Sequence, residues 1–289
     1  MDQRTDLALE KSEALGGTTP EGVTCETQQF GEMKITRIRV HTAAGAEALG
    51  KPQGQYITVE VPPFKRSAEI PDVMVDTIAD ELRALLPAEG TVLVAGLGND
   101  EITPDALGPA CASQVLATRH IRRELAQSAG LGNLRPVVNL TPGVLGKTGI
   151  ETGELLRGVV QRVQPAAVLT VDALAARKLS RLGCTVQMAD TGVTPGSGVG
   201  NARAQLDRES LGVPVIALGV PTVVDAATLV YDLTHASADD ALAREGADMM
   251  ITPREIDLVI ERAARLLALA INRALQPHLS AQEILLLVS

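Results

Sequence analysis

Aromatic side chains are almost absent from this chain of 289 residues, which has no Trp, two Phe and two Tyr. Because 45% of the residues are apolar and only 1% are aromatic, Ala, Val, Leu and Ile must build the core. Such side chains are typical of the buried strands of a parallel sheet. A chain of this length buries about 75% of the surface that its unfolded form exposes, so we expect a substantial core.

Positive charge is also scarce, since 26 Lys and Arg residues face 35 Asp and Glu residues. The net charge of −9 argues against an electrostatic grip on nucleic acid or on an anionic membrane, and we expect neither as a partner. The longest uncharged run, 211–224, is too short to span a bilayer. The N-terminus has no apolar core of a secretory signal, so we expect a soluble, cytoplasmic protein.

Cysteine and histidine are too few and too scattered to indicate a metal site. Cys25, Cys111 and Cys184 are an odd number, widely spaced, and form neither a zinc pattern nor a disulfide framework. We expect them to be small buried side chains in a reducing compartment. The four His have no ligand-like spacing, so we expect no metal and no cofactor.

Hydrophobic periodicity predicts a single α/β domain with a mostly parallel central sheet flanked by helices and an N-terminal antiparallel strand portion. Period-2 alternation in 26–42 and 55–61 indicates half-solvated strands, and a helix follows at 71–86. From Thr91 the pattern alternates between strand and helix, which is typical of right-handed βαβ units. The predicted strands are 91–96, 135–140, 165–171, 185–188 and 214–218; the predicted helices are 104–125, 153–163, 222–234 and 253–275, the last opened by a capping box from Thr252 to Glu255.

Two aspartates follow apolar strands. Asp105 comes after a Gly-rich turn and would be the second residue of a helix, with Thr103 as its N-cap. An acid there gains roughly 0.3–1 kcal/mol from the helix dipole, which explains the position without any catalysis. Asp172 follows a wholly apolar strand, where a carboxylate caps the next turn, pairs with Arg177, or has a catalytic role.

The two aspartates together are more informative than either alone. Both would lie outside the carboxyl ends of strands, where open α/β sheets bind their ligands. Two neighbouring carboxyl groups do not ionise together easily, so one remains a proton donor while the other is a base. Such a pair activates a water and protonates a leaving group, which indicates a hydrolase.

Glycine-rich loops flank both aspartates and predict the close approach of a ligand or a peptide backbone. They match no nucleotide or nucleophile motif. Gly143 is too close to Lys147 for a P-loop, and Glu101 stands where a dinucleotide-binding fingerprint that starts at Gly96 needs its third glycine. Pro195 replaces the first Gly of a nucleophile elbow around Ser197. Lys147 either tunes the acid pair or is a solvated loop cation. The candidate cleft-lining residues are Gly96, Gly98, Asn99, Lys147, Gly196, Ser197 and Gly198.

Several long blocks, in order along nearly the whole chain, resemble the germination protease (spore endopeptidase) family. The blocks are RTDLALE, GLGN with TPDALGP, NLTPGVLGKTGIETGE, TVDALAAR, DTGVTPGSGVGN, LGVPVIALGVPTVVDAATL and MMITPREID. The resemblance implies a fold similar to that of hydrogenase maturation peptidases. It also implies a sequence-specific endopeptidase that degrades small acid-soluble proteins in the spore core during germination, usually as a homotetramer.

The resemblance further implies that Asp105 and Asp172 are the two essential aspartates of the family. It implies a zymogen that cuts itself at an acidic residue followed by an apolar residue, Ala, any residue and Glu. Residues 6–10, DLALE, match that motif. We therefore expect a propeptide of residues 1–6, a cut between Asp6 and Leu7, and a single peptidase domain at 7–289.

Two alternatives remain open. The first is a metal-dependent maturation-type peptidase on the same fold; hydrogenase maturation relatives bind nickel through acids and a His, and no matching His follows a strand here. A zinc enzyme belongs to the same alternative. The second is a non-catalytic binding protein that has kept the fold.

Overall fold

The computed structural model describes residues 5–16, 18–65, 69–200, 203–226, 228–230 and 249–288. Within these ranges nine strands form one sheet, in the order β1-β2-β3-β7-β8-β6-β4-β5, with β9 paired to β8. The strands are β1 (Val23–Phe30), β2 (Met33–Val40), β3 (Gly54–Glu60), β4 (Val92–Gly96), β5 (Val137–Leu140), β6 (Ala167–Ala176), β7 (Thr185–Ala189), β8 (Val215–Asp225) and β9 (Met250–Ile251).

The helices that we number belong to the same described ranges. They are α1 (Ala8–Ala14), α2 (Ala43–Leu49), α3 (Asp72–Leu85), α4 (Leu107–Ala112), α5 (Arg123–Ser128), α6 (Leu145–Thr148), α7 (Thr152–Val163), α8 (Arg208–Leu211), α9 (Ile256–Leu275) and α10 (Ala281–Val288). Short 3₁₀ turns lie at Thr103–Asp105, Leu179–Arg181 and Ser197–Val199.

The sheet is mixed, so the prediction of a mostly parallel sheet is wrong. Strands β8, β6, β4 and β5 are parallel, whereas β1, β2, β3 and β7 form an antiparallel half that joins β8 through β7. The connection from β6 to β7 is short, and a parallel return requires a crossover of a dozen or more residues. The N-terminal antiparallel portion was predicted correctly.

Side chains on the two faces of the sheet pack against different helices. Residues such as Ile57 of β3 and Val94 of β4 pack with α3, α4 and α9 in the largest core cluster. On the opposite face, Leu93 of β4 packs with α7 and α8, and Tyr56 of β3 packs with α1 and α2. Two groups of helices thus cover the two halves of one face.

Several predicted elements differ in extent from the observed ones. The predicted helix 104–125 is interrupted, because a 3₁₀ turn precedes α4 and α4 ends at Ala112. Residues 222–225 of the predicted helix 222–234 belong to β8, and 231–234 lie outside the described residues. The predicted capping box is wrong, since the Thr252 hydroxyl donates to the Thr222 carbonyl at 3.0 Å and α9 begins at Ile256.

The cysteines only partly match the expectation of burial, because Cys111 is buried, Cys184 is half-buried and Cys25 is exposed on the edge strand β1. All three are free thiols. Among the helices that the structure describes, none is long and apolar enough to cross a lipid bilayer.

Candidate active site

Asp105 lies in the 3₁₀ turn that links β4 to α4, and close backbone packing fixes this turn. Gly98 has a φ of +110°, and a Cβ at this position would lie 2.0 Å from the Asp105 carbonyl oxygen, so only glycine fits there. The Asp105 carboxylate accepts the Asn99 amide at 2.7 Å. The Thr222 hydroxyl donates to the Pro104 carbonyl at 2.8 Å and ties the turn to β8.

Asp172 lies inside β6, whereas the sequence predicted that the strand ends just before it. The neighbouring strand β4 ends at Gly96, opposite Val171, so Asp172 is the first residue of β6 beyond that end. Its side chain is only 7% exposed, and it accepts the Ala173 amide at 2.9 Å. On its other side the register places Gly219 of β8, where a Cβ would lie 2.5 Å from the Asp172 carbonyl oxygen and 2.7 Å from the Leu174 side chain.

Burial sets the electrostatics of both carboxyl groups. Desolvation raises the pKa of Asp105, and the amide of Asn99 opposes that rise. Desolvation raises the pKa of Asp172 well above its ordinary value, and the charges of Asp105 and Asp6 raise it further. Asp172 is therefore the more strongly protonated member of the pair, and Asp105 is the one that ionises more readily.

Both aspartates line a cleft of about 960 Å³ whose floor is formed by β6, β8 and β7. Of the predicted lining residues, Gly98, Asn99, Gly196, Ser197 and Gly198 line this cleft together with Asp6.

The other two predicted lining residues, Gly96 and Lys147, are not among the described residues that line the cleft. Gly96 lies where β4 meets α4, and a Cβ there would be 2.2 Å from the Gly108 carbonyl oxygen. Lys147 forms ion pairs with Asp100 at 2.5 Å and Glu101 at 3.0 Å. The charge of Lys147 is therefore paired with the two acids in the loop that follows β4.

The N-terminal segment of the chain itself occupies part of this cleft. Asp6 pairs with Ala175 at the end of β6: its amide donates to the Ala175 carbonyl at 3.0 Å, and its carboxylate accepts the Ala175 amide at 2.8 Å. The Ser197 hydroxyl donates to the same carboxylate at 2.9 Å. A Cβ at Gly198 would lie 2.3 Å from this carboxylate, so Gly198 leaves room for the acid.

Residues after Asp6 are buried one after another. Leu7 is extended and fully buried against Leu174, Ala176 and Val224. The Glu10 carboxylate, 2% exposed, accepts the backbone amides of Arg177 at 2.7 Å and Lys178 at 2.9 Å. The chain therefore reaches the cleft as an extended peptide and then enters α1.

Two polar side chains that the sequence analysis missed contact the carbonyl oxygen of Asp6. The Lys51 Nζ and the Gln187 Nε2 each donate to this oxygen at 2.9 Å, and the Gln187 Oε1 accepts the Ala8 amide at 3.0 Å. Gln187 had a detectable signal, because it is the one amide side chain in the otherwise apolar strand core TVQMA. Lys51 follows the end of α2, and nothing in its local sequence distinguishes it from a surface lysine.

Metal-ligating side chains do not cluster in this part of the molecule. Across the described ranges, no three His, Cys, Asp or Glu side chains are grouped closely enough to hold a metal ion.

The fold and the cleft together define an α/β protein that holds a short segment of its own chain in a cleft with one buried and one half-buried carboxyl group. A family model for the germination protease matches residues 4–237. The germination proteases of Clostridium perfringens and Caldanaerobacter subterraneus are 39% and 40% identical to the chain, over 97% of the chain and 97% and 96% of those proteins. The germination protease of Bacillus velezensis is 35% identical over 96% of the chain and 94% of that protein.

The chain belongs to the germination protease family, and it is therefore a peptidase by kinship. Among solved structures, the [NiFe] hydrogenase maturation protease HycI from Thermococcus kodakarensis aligns with a TM-score of 0.38 and 20% identity, over 66% of this chain and 98% of that one.

Proposed function

We propose that the chain is a sequence-specific endopeptidase that cuts itself between Asp6 and Leu7 and then degrades small acid-soluble spore proteins during germination. The observation that carries the proposal is the position of residues 5–7, which precede α1: Thr5 and Asp6 line the cleft that holds Asp105 and Asp172, and Leu7 is extended. Membership of the germination protease family supports the germination role. Action in the spore core and a homotetrameric state are proposed from that kinship alone.

Specificity in this proposal comes from the contacts of residues 6–10. An acid at the position of Asp6 is favoured by the Ala175 amide and the Ser197 hydroxyl. An apolar residue follows in a closed pocket, and Ala8 is fully buried beside Tyr56, where a larger side chain has no room. The carboxylate of Glu10 is matched by two backbone amides. Substrates would therefore carry the same pattern of acid, apolar residue, Ala, any residue and Glu.

Catalysis in this proposal is shared between the two carboxyl groups. Ionised Asp105 removes a proton from a water, whose oxygen attacks the carbonyl carbon of Asp6 while the carbonyl π electrons move to its oxygen. Protonated Asp172 then gives its proton to the Leu7 nitrogen as the C–N bond breaks. The products are a new carboxyl group on Asp6 and a new amine on Leu7. This division follows the pKa order, because a carboxyl group with a strongly raised pKa is the proton donor.

The first test is the isosteric replacement of each acid, Asp105→Asn and Asp172→Asn, with Asp80→Asn on the exposed surface of α3 as the matched control. Each active-site variant should lose self-cleavage at Asp6–Leu7 by at least about 100-fold, because general acid–base catalysis contributes about 10²–10⁴-fold. Mass spectrometry of the N-terminus follows the cut, and circular dichroism checks the fold.

Three outcomes would contradict the proposal. A folded Asp105→Asn or Asp172→Asn chain that still trims itself at the wild-type rate would exclude the aspartate mechanism. Loss of wild-type cleavage in a metal chelator, with recovery on adding nickel or zinc, would favour the metal-dependent alternative. A wild-type chain that cuts neither itself nor a small acid-soluble spore protein would leave a binding role.

A further inference from the structure

The buried surroundings of the Asp6 carbonyl oxygen contain a cation with an unusual contact. Lys51 is half-buried and donates to this oxygen at 2.9 Å, and within the described part of the chain it forms no ion pair with a carboxylate. Burial lowers the pKa of Lys51, and the nearby charge of Asp6 opposes that change. Buried charges are normally paired, because desolvation is costly. A lysine directed at a single neutral carbonyl therefore calls for a functional explanation.

Strand register adds a second donor to the same oxygen. On β8, Gly219 faces Asp172 of β6 on one side and Gln187 of β7 on the other. Val186 and Met188, the neighbours of Gln187, belong to the large core on the opposite face, so the Gln187 side chain points to the cleft. Gln187 and Asp172 thus stand in one row, separated by a residue without a side chain. The Leu174 side chain covers Gly219, since a Cβ there would lie 2.7 Å from it, and the Asp6 carbonyl oxygen contacts the Gln187 end of this row.

Gln187 is itself held by two contacts that orient its amide. Its oxygen accepts the Ala8 amide at 3.0 Å while its nitrogen donates to the Asp6 carbonyl at 2.9 Å. The two contacts fix which end of the amide faces the scissile carbonyl. The donor is therefore already in place before the reaction begins, which is the arrangement that stabilises a developing negative charge at least cost.

We infer that Lys51 and Gln187 form the oxyanion-binding site of the peptidase, with Lys51 as a cationic donor and Gln187 as a neutral one. This inference rests on the proposed cut between Asp6 and Leu7. When the water oxygen bonds to the carbonyl carbon, the π electron pair moves onto the carbonyl oxygen, and both donors face that oxygen. The pair returns to re-form the C=O bond as the Leu7 nitrogen leaves with the proton from Asp172.

The test measures the first-order rate constant of self-cleavage at Asp6–Leu7 in the full chain with Lys51→Met and Gln187→Glu, since the chain's own segment already occupies the cleft. Lys51→Met keeps the side-chain length without the charge. Gln187→Glu keeps the oxygen that faces the Ala8 amide and replaces the donor. Removing one oxyanion donor typically costs about 10²–10³-fold in kcat, so the rate constant should fall by that much in each variant. Protection of the Asp6–Leu7 bond from an added protease, measured with Asp105→Asn in every chain, should stay within about three-fold of wild type. Lys51→Arg should recover part of the loss.

The controls separate this inference from the proposal on which it rests. Lys65→Met removes an exposed lysine and should leave self-cleavage at the wild-type rate. If wild type cuts itself and the aspartate variants do not, but Lys51→Met and Gln187→Glu keep the wild-type rate constant, only the oxyanion inference is wrong. If either variant slows self-cleavage only in proportion to lost protection of the Asp6–Leu7 bond, its side chain only binds the segment, and the inference is again wrong. If wild type cuts nothing, the proposed function and the inference are both wrong.

Discussion

Asp172 carries a carboxyl group at a position where a neutral amide would make the same hydrogen bond to Ala173 at lower cost. Desolvation is the main cause of its raised pKa, followed by the charges of Asp105 and Asp6. Functional sites commonly retain such costly groups, and their removal stabilises the protein while abolishing activity. We therefore expect Asp172→Asn to raise the free energy of unfolding at neutral pH.

The sign of the pH dependence follows from linkage. Below the unfolded pKa of about 3.9, Asp172 is protonated in both states and the substitution changes little. As the pH rises, the unfolded chain ionises first, so the folded wild type loses stability until the pH passes the folded pKa of Asp172. Between the unfolded and the folded pKa of Asp172, the free energy of unfolding of Asp172→Asn should therefore rise relative to wild type by about 1.4 kcal/mol for each pH unit.

This prediction is measured by urea unfolding between pH 4 and pH 8, with Asp105→Asn in every chain so that none cuts itself. Desolvation, the largest cause of the raised pKa of Asp172, is still present when Asp105 is replaced by Asn. The exposed Asp80→Asn should change stability by less than about 0.5 kcal/mol throughout. An Asp172→Asn advantage that does not grow with pH would show that Asp172 is not protonated in the folded protein.

Single residues also show what the sequence could not reveal. Asp105 and Asp172 were found because each follows an apolar strand, where a carboxylate has little packing value. Gln187 was detectable as an amide in a mostly apolar strand, but its partner was not, because the oxygen that it shares with Lys51 is a backbone atom and leaves no sequence signal. Asp6 was recognised only as a cleavage site; its proximity to Asp172 depends on the tertiary fold.

At the scale of elements, the sequence predicted strands better than their directions. Apolar periodicity placed β4, β5 and α7 within a few residues of their observed bounds. The direction of β7 depends on its pairing with β3 and β8, and its apolar run is the same in either direction. The predicted helix 104–125 is broken because α4 is constrained by contact with the sheet, which overrides local propensity.

The packing of α4 on the sheet positions Asp105. A Cβ at Gly108 would lie 2.1 Å from the Leu97 carbonyl oxygen and 2.4 Å from that of Val171, and neither backbone atom can yield easily. Gly108→Ala should push α4 away and displace the turn that precedes it. We expect a loss of about 1–3 kcal/mol in the free energy of unfolding, together with slower self-cleavage.

Gly158→Ala in α7 is the matched control, because no atom would lie within 4 Å of the added Cβ. This variant should gain up to about 1 kcal/mol from helix propensity and cleave at the wild-type rate. Urea unfolding and the first-order rate of N-terminal trimming measure both effects. Equal stability and activity in Gly108→Ala would show that α4 does not fix the position of Asp105.

At the scale of the whole molecule, the chain delivers its own N-terminal segment to its own cleft. Asp6 is tied to β6 by the backbone amide of Ala175, and Glu10 is tied to the residues just after β6 by the backbone amides of Arg177 and Lys178. The chain continues from this segment along α1 towards β1. A short tether gives an effective concentration in the millimolar range, far above that of any free chain in a dilute assay. Self-cleavage should therefore be an intramolecular reaction.

Dilution and mixing test that prediction. The first-order rate constant of the cut at Asp6–Leu7 should stay constant over about a hundred-fold range of protein concentration, since an intramolecular step does not depend on encounter. A tagged Asp172→Asn chain mixed with an equal amount of wild type should remain uncut while the wild type is trimmed, because its segment is held in an inactive cleft. A rate that rises in proportion to concentration, or trimming of the tagged chain at the wild-type rate, would mean that one molecule presents its segment to another. The contacts that hold Asp6 and Glu10 in place favour a rate constant that does not depend on concentration. A neighbouring molecule can accept a second chain in its cleft only after the N-terminal segment of that neighbour has left.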